Sequence, residues 1–203
     1  MRGQIDNNIK GVVMFFLVLF LLAPYTQATG IFIANEAGVQ NTDYLFKYGN
    51  SQFEYGSSGI VQTFKLGHQI EFNDQWSLMS SVFFTPMSHR KEVVGVSLVK
   101  LDVARGDSFG IDFAVKRKLH GLEAFALVGL EQYDVEYSLV IEDISKRYRA
   151  KRFGVGVILP VTDSSSLTTQ AVYSRGEHKW SQGEALVNDL TFTAAYRFNY
   201  NFL

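Results

Sequence analysis

The sequence predicts an all-β protein, an antiparallel up-and-down transmembrane β-barrel of eight strands that follows a cleaved signal peptide. Apolar and polar residues alternate along most of the chain after residue 28, as in strands with one face in lipid and one in a lumen. The connections between these segments are short and long in turn. No uninterrupted apolar stretch after residue 28 approaches the roughly 18 residues of a spanning helix. A membrane crossing therefore requires a closed barrel.

The N-terminal segment has the three parts of a secretory signal peptide. Arg2 and Lys10 make its start basic, an uncharged apolar run covers 11–23, and small residues lead to a cleavage site after Ala28. The apolar run has about 13 residues, fewer than the roughly 20 of a transmembrane helix. An uncleaved N-terminal anchor is the alternative. The predicted domains are residues 1–28, the signal peptide, and residues 29–203, the barrel.

The composition argues against several functions. The formal net charge of −1 gives no support for a nucleic-acid partner. The chain has no cysteine, so it has no disulfide framework. The four histidines are scattered singly. We therefore expect no metal site and no cofactor.

Eight segments show the alternation, and each is predicted to be a strand of about ten residues. In order they are about 30–40, 60–72, 75–84, 108–118, 121–137, 151–161, 166–175 and 190–202. From the second onward, the alternation shows in GIVQTFKLGHQIEF, QWSLMSSVFF, SFGIDFAVK, LEAFALVGLEQYDVEY, RFGVGVILPV, SLTTQAVY and TFTAAYRFNYNFL. In the second segment Phe64 and Leu66 face one way, and Thr63 and Lys65 face the other. The second face generally carries glycines, small hydroxyls and isolated charges, which is typical of a barrel lumen rather than of a soluble sandwich.

The fifth segment allows two orientations. If its even positions face lipid, Val128 and Leu130 point outward and Glu131 points inward. If its odd positions do, Phe125 and Leu127 point outward, but Glu131 meets lipid. A charge on the lipid face is destabilising near mid-membrane, so we predict the even orientation. Beyond Glu131 we expect a register shift at a bulge.

The connections alternate in length. Those predicted to be short are 73–75, 119–121 and 162–166, and those predicted to be long are 41–59, 85–107, 138–150 and 176–189. Short periplasmic turns and long external loops are the pattern of outer-membrane barrels. The apolar segment 93–103 either extends the second hairpin above the membrane or spans it. If it spans, 41–56 would supply another strand and the barrel would have ten.

The chain ends in an alternating, aromatic segment, YRFNYNF at 196–202. This ending resembles the insertion signal of bacterial outer-membrane barrels, whose last residue is usually an aromatic that the barrel assembly machinery reads. The corresponding residues here are Tyr196, Phe198, Tyr200 and Phe202, with Leu203 after them. Residues 121–202 resemble the outer membrane protein A and X families, which include attachment and invasion adhesins. The resemblance implies a place in the outer membrane of a Gram-negative cell.

The lumen is expected to hold paired charges. An eight-stranded barrel is just wide enough for side chains to fill it. The charged residues predicted to point inward are Glu36, Lys65, Glu71, Asp112, Lys116, Glu131, Arg152 and Arg197. Both signs occur in similar number, and buried charges are tolerated when they are paired and hydrogen-bonded. We therefore expect a salt-bridge network that fills the lumen. The alternative is a small narrow-pore channel in which charge rings set the selectivity.

Function is expected in the surface loops, because binding residues concentrate in loops on a rigid scaffold. The expected roles are adhesion, surface recognition or envelope integrity, toward an unidentified extracellular ligand. The triplet Arg105-Gly106-Asp107 matches the integrin-binding motif, although Gly-Asp is also ordinary turn chemistry. Basic side chains near the rim can bind lipid phosphates. The residues predicted to contact lipopolysaccharide are Lys146, Arg147, Arg149 and Lys151.

A lipid A-modifying enzyme is a further alternative. With a turn at 73–75, His68 and Ser80 fall opposite each other on the lipid-facing side. This pair resembles the dyad of lipid A deacylases, in which histidine activates serine as a nucleophile. The same-face neighbours, among them Leu66 and Leu78, include no acid that would orient the histidine. The deacylase motif, with the two residues two apart on one strand, is also absent, so the sequence predicts no enzymatic activity.

Overall fold

The structure is a computed structural model that describes residues 29–48, 51–86, 89–94, 100–138, 143–180 and 183–202. The predicted signal peptide, 1–28, and Leu203 lie outside these residues. The strands of the described residues are β1 (Thr29–Tyr48), β2 (Ser51–Glu71), β3 (Trp76–Thr85), β4 (His89–Val94), β5 (Lys100–Leu119), β6 (Leu122–Ser138), β7 (Asp143–Thr162), β8 (Ser165–Trp180) and β9 (Gly183–Phe202). A search of the same residues finds no helix with the length and apolar character to cross a membrane.

The strands close into a ring. Consecutive strands pair antiparallel, apart from β3 and β4. β1 and β9 close the ring along their whole length, from Thr29 opposite Phe202 to Tyr48 opposite Gly183. β3 and β4 pair one after the other with β5, so together they occupy one position of the ring. The ring thus has eight positions, and the prediction of an eight-stranded up-and-down barrel is confirmed.

Two segments could have added strands to the barrel, and neither does. The described parts of 93–103 belong to β4 and β5, where Val93 lies opposite Leu101. The described parts of 41–56 are the paired ends of β1 and β2. Both segments extend hairpins that already belong to the ring. The ten-stranded alternative is therefore wrong.

The outward positions carry a belt of apolar side chains, which we call the apolar belt. On β7 it comprises Phe153, Val155, Val157, Leu159 and Val161, each 43 to 62 % exposed. The alternate residues of β7, such as Arg152 and Ile158, point into the ring and are buried. Soluble monomers rarely expose a contiguous apolar surface of this extent. A belt about ten residues tall on each strand is instead the lipid-facing surface of a transmembrane barrel.

β6 has the orientation predicted for lipid-facing even positions. Val128 and Leu130 are 53 % and 62 % exposed. Phe125, Leu127 and Glu131 are buried in the lumen. The rule that a charge avoids the lipid face therefore gave the right orientation for this strand.

The predicted bulge exists, but it lies in β5 rather than in β6. Two residues separate Arg105 from Ser108 on β5, whereas one residue separates their partners Val135 and Tyr133 on β6. β6 keeps its alternation beyond Glu131. The extra residue reverses the faces of β5 beyond the bulge and turns Arg105 inward, where it is buried.

The strands run further than predicted at one end of the barrel. The short turns fall within two residues of their predicted places. The described parts of the segments predicted to be long loops, 41–59, 85–107, 138–150 and 176–189, are almost wholly strand ends, so this prediction was wrong. Beyond the apolar belt the outward positions become polar, as at Asp43 and Asp134, while inward neighbours such as Tyr44 and Tyr133 stay large and buried. The alternation persists there with its apolar face turned inward.

The part of the ring beyond the belt has its own core. Its buried residues are Tyr44, Tyr133, Val135, Tyr148, Ala150, Ala185 and Val187. The rings of Tyr133 and Tyr148 stack nearly parallel, with centroids 5.7 Å apart. Burial raises the pKa of Tyr133 well above its ordinary value, because the buried site disfavours the charged phenolate. This core makes the long hairpins a continuation of the barrel wall.

Within the belt, aromatic rings lie over glycines of neighbouring strands. A Cβ added to Gly110 would lie 2.4 Å from Cζ of Phe83. A Cβ added to Gly156 would lie 2.4 Å from Cζ of Phe125. Real Cβ atoms do not approach so closely, so each ring occupies the space that a side chain would need. The glycines of the inner face therefore mark places of close packing, and the rings fill the lumen.

Candidate functional site

A chain of side chains with alternating charge runs through the lumen. In order of contact it consists of Glu36, Lys65, Asp112, Arg152, Glu131, Arg105 and Asp189. These residues come from six different strands, and we call them the lumen network. Each side chain is at most 11 % exposed. Every cation lies between two carboxylates, so the charges of the network offset one another locally.

The half of the network inside the belt is closely paired. Lys65 Nζ lies 2.9 Å from Glu36 Oε1 and 3.5 Å from Asp112 Oδ2. Arg152 continues the chain with Nε 3.1 Å from Asp112 Oδ1 and Nη1 3.2 Å from Glu131 Oε2. Buried ions require such pairing, because an isolated charge in a dry interior is strongly disfavoured.

Arg105 joins the network at the other end. Its Nη2 lies 2.5 Å from Glu131 Oε1, and its Nη1 pairs with Asp189. Its guanidinium carbon lies 4.0 Å from the centroid of the Tyr133 ring, a cation–π distance. Asp189 also accepts a hydrogen bond of 2.6 Å from the Thr42 hydroxyl. Arg105 thus links the charged layer to the core beyond the belt.

Two of the remaining predicted lumen charges lie nearer the short turns and outside the network. Lys116 Nζ pairs with Glu123 Oε2 at 2.7 Å. Glu71 is partly exposed and lies 3.4 Å from Lys118 Nζ. These are separate pairs near the mouth of the barrel.

Arg197, the last predicted lumen charge, is held by neutral groups. It donates from Nη2 to Gln69 Oε1 at 2.8 Å and from Nε to Asn199 Oδ1 at 2.6 Å. Its guanidinium carbon lies 3.8 Å from the centroid of the Phe32 ring. Of the eight residues predicted to form one network, five are brought together and Glu71, Lys116 and Arg197 are not.

Little space remains between these side chains. One cavity has a volume of about 40 Å³ and is bordered by Lys65, Met79 and Arg197. Another has a volume of about 20 Å³ and is bordered by Arg105 and Arg152. One water needs roughly 10–15 Å³ of such space, so each cavity holds at most a few waters. The described lumen is therefore filled by side chains.

Two members of the network were missed in the sequence. Arg105 belongs to the triplet considered for integrin binding, but its buried guanidinium is unavailable to a surface ligand. Asp189 is the last residue of 176–189, a segment predicted to be a loop. The signal for Asp189 was present, because Ala185, Val187 and Asp189 continue the inward alternation of β9.

The residues predicted to contact lipopolysaccharide divide between two faces. Arg147, Arg149 and Lys151 are exposed on the outer face of β7. Lys146 is exposed too, but the alternation with buried Tyr148 places it on the inward side of the strand. Three of the four therefore form one outward column beyond the belt.

Arg175 on β8 extends this column sideways, and the sequence analysis did not single it out. It is exposed and lies opposite Lys151. On the outer face, Arg175 is next to Tyr173 and Lys151 is next to Phe153, and both rings belong to the belt. The two cations therefore lie where the barrel wall leaves the apolar layer. We call Arg149, Lys151 and Arg175 the basic rim.

The basic rim has cations to offer to a ligand. Lys151 and Arg175 form no ion pair with a carboxylate of the described residues. Arg147, in contrast, donates from Nε to Asp134 Oδ1 at 3.0 Å, and this bond raises the pKa of Arg147. Exposed cations beside an apolar surface suit a ligand with anionic groups next to hydrocarbon.

His68 and Ser80 lie directly opposite each other, as expected from the turn. Neighbouring side chains cover both residues, so His68 is 7 % exposed and Ser80 is 4 % exposed. The next residues across the sheet are Ile31 beside His68 and Phe113 beside Ser80. These apolar residues supply no acid to orient the histidine. The described residues also contain no group of three His, Cys, Asp or Glu side chains that could hold a metal ion.

The aromatic end of β9 faces outward. Tyr196, Phe198 and Tyr200 form an exposed column in the belt near the short turns. The rings of Tyr196 and Phe198 pack edge to face with centroids 4.7 Å apart. Phe202 lies opposite Thr29 in the strand pairing, and its side chain is outside the described part. The segment that resembles an insertion signal thus lies on the lipid-facing surface at the seam that closes the barrel.

Comparison with known proteins finds similar structures. No family model matches the chain, and no curated protein matches it. Neisserial surface protein A matches with a TM-score of 0.52 at 14 % identity, covering 85 % of this chain and 98 % of that chain. Ail, the attachment invasion locus protein of Yersinia pestis, matches with 0.47 at 16 % identity, covering 85 % and 99 %. The outer membrane protein OprG of Pseudomonas aeruginosa matches with 0.47 at 10 % identity, covering 86 % and 98 %.

At these identities the likeness shows the fold alone, and Neisserial surface protein A has the highest TM-score of the three. The closed ring of eight positions and the apolar belt agree with that likeness. The resemblance to the small barrels of the outer membrane protein A and X type is confirmed at the level of the fold, and this chain has the fold of the small eight-stranded β-barrels of the outer membrane.

Proposed function

We propose that this barrel is a closed scaffold that acts at the cell surface through the hairpins raised beyond the apolar belt. Its role is adhesion, surface recognition or envelope integrity, through an extracellular ligand not yet identified. The observation that supports the proposal is the filled lumen. The lumen network, the aromatic rings packed on glycines, and the core beyond the belt around Tyr133 and Tyr148 occupy its space. A barrel without a passage offers its wall and its hairpins for function.

A narrow channel is the rival function, and the network argues against it. Selective pores line their passage with charges that a passing ion can bind and leave. Here each cation of the network lies between two carboxylates, as Lys65 does between Glu36 and Asp112. Such charges are already engaged with each other. A lipid A-modifying activity has less support, because His68 and Ser80 are covered and have apolar neighbours.

Purified protein in planar lipid bilayers is expected to give no reproducible channel openings, because the lumen network and the aromatic rings occupy the described lumen. An outer-membrane porin in the same bilayers serves as the positive control. Heat-modifiable migration on a gel confirms that the sample is folded. Ohmic steps of constant size from the folded, purified chain would refute the closed scaffold.

Lipopolysaccharide is the proposed lipid partner of the basic rim. Lys151 and Arg175 stand at the margin of the belt, where a lipid embedded in the membrane carries its phosphates. Lysine and arginine bind phosphate by charge-assisted hydrogen bonds. During assembly, the outward column Tyr196, Phe198 and Tyr200 is the proposed contact of the barrel assembly machinery.

A further inference from the structure

The lipid-facing surface is not apolar on all sides. Away from the margins of the belt, and leaving Tyr and Trp aside, the outward side chains of the described residues that can form hydrogen bonds are Asn35, Gln62, His68, Ser80 and Thr169. Four of these five lie on the adjacent strands β1, β2 and β3. The outward positions of β5, β6, β7 and β9 in the same zone are aliphatic or aromatic. One side of the barrel is therefore distinct.

Two of the four polar side chains on β1, β2 and β3 are exposed to lipid. Asn35 and Gln62 are exposed, whereas His68 and Ser80 are covered by their neighbours. Gln62 Nε2 donates to Asn35 Oδ1 at 3.2 Å. This bond uses one donor of one amide and the oxygen of the other. A donor group on Asn35 and an oxygen on Gln62 remain directed at hydrocarbon, which offers them no partner.

Beside the amides, small side chains form a shallow trough in the outer surface, and the side chain of Ile60 protrudes next to this trough. Ala37 lies opposite both Gln62 on β2 and Ala194 on β9, so small side chains form a trough. Ile60, next to Gln62 on the outer face, is 76 % exposed, the highest value among the large apolar side chains of the described residues. A knob beside a trough on one face is self-complementary under a two-fold axis. Small residues also allow close approach inside a membrane.

We propose that this face of β1, β2 and β9 binds a second copy of the chain within the membrane. The amide pairs Asn35–Gln62 of the two copies hydrogen-bond to each other across the two-fold axis, and Ile60 of each copy enters the trough at Ala37 and Ala194 of the other. In each copy, the Asn35 NH₂ group and the Gln62 oxygen are not used by the Asn35–Gln62 bond, so each copy can donate one hydrogen bond to the other and accept one from it. A polar group of a lipid is the competing occupant.

Cross-linking tests the proposal, because the chain has no cysteine of its own. Ala37→Cys places a thiol in the trough, and Ala126→Cys places one on the outer face of β6, across the ring from β1. Both are alanine-to-cysteine changes at exposed positions. In native outer membranes, a short bifunctional thiol reagent is expected to give a dimer with A37C and only background with A126C.

The amides are tested by adding Asn35→Leu and Gln62→Leu to A37C. These changes remove two intermolecular hydrogen bonds, and each such bond raises the association constant in a membrane by a factor of about 3. The dimer is therefore expected to be about tenfold weaker. Heat-modifiable migration shows that each variant still folds. Equal cross-linking of A37C and A126C overturns the proposal, and this is also the result if a lipid occupies the face. Unchanged cross-linking after the leucine substitutions overturns it as well.

Discussion

Replacing Arg105 with methionine is expected to lower the free energy of unfolding by about 3–5 kcal/mol, the usual cost of removing one partner of a buried ion pair. Methionine keeps much of the volume, so the effect is electrostatic. Asp189 loses the only cation that the described network gives it, and Glu131 keeps Arg152 alone. Urea unfolding of the barrel in lipid, followed by gel mobility, measures the change.

Arg147→Met is the matched control for this variant. Arg147 also pairs with a carboxylate, Asp134, but both side chains are about half exposed. An exposed pair of this kind contributes about 0–1 kcal/mol. Adding Asp189→Asn to Arg105→Met is expected to recover part of the loss, because the new amide has no charge and still accepts from Thr42. An Arg105→Met effect as small as that of Arg147→Met would contradict the network.

The double variant Lys151→Gln/Arg175→Gln is expected to bind lipopolysaccharide about thirtyfold more weakly than the parent. The estimate takes about 1 kcal/mol for each cation–phosphate contact at an exposed position. These two cations are chosen because neither is paired with a described carboxylate, whereas Arg149 lies opposite Glu177. Titration of purified barrel in bilayer discs with lipopolysaccharide measures the affinity. Added salt should reduce the difference between variant and parent, because it screens exposed charges.

Arg117→Gln/Lys118→Gln provides the control, since it removes the same types of cation from the end with the short turns. These side chains are exposed and lie at the short-turn end of β5, whereas the basic rim lies toward the opposite end of the barrel. The control should bind lipopolysaccharide like the parent. If both double variants lose affinity equally, net charge rather than the rim governs binding, and the assigned contact is wrong.

The belt was predictable because lipid imposes one simple rule on it. A strand between lipid and lumen must be apolar on one face, and a charge such as Glu131 then decides which face is which. Leu130 and Glu131 were placed correctly by this rule alone. The short turns were equally readable. Asn73 Oδ1, for example, accepts bonds from the backbone of Gln75 and Trp76, as turn asparagines do.

The upper part of the barrel was not predictable by the same rule, because its solvent is water. There the outward residues are charged, as at Asp43, and the inward ones are aromatic, as at Tyr44. At the margin of the belt, the apolar residues of the alternation change from the outward face to the inward face. Beyond the margin the outward residues are polar, so a strand end there resembles a loop if only outward apolar residues are followed. The lumen network was incomplete for the same reason, since Arg105 and Asp189 come from segments taken to be loops. Which charge meets which depends on the stagger between strands, which alternation does not reveal.

Thiol accessibility along β8 in native membranes tests the central claim most directly, namely that the belt lies in lipid and the lumen is filled. Thr168→Cys and Ser174→Cys point inward, and Thr169→Cys and Ala171→Cys point outward. A charged, water-soluble thiol reagent is expected to label none of the four, while a lipid-soluble maleimide labels only the two outward thiols. Labelling of the inward thiols by the charged reagent would show an open lumen. Labelling of the outward thiols by it would show that the belt lies in water, and either result would contradict the account.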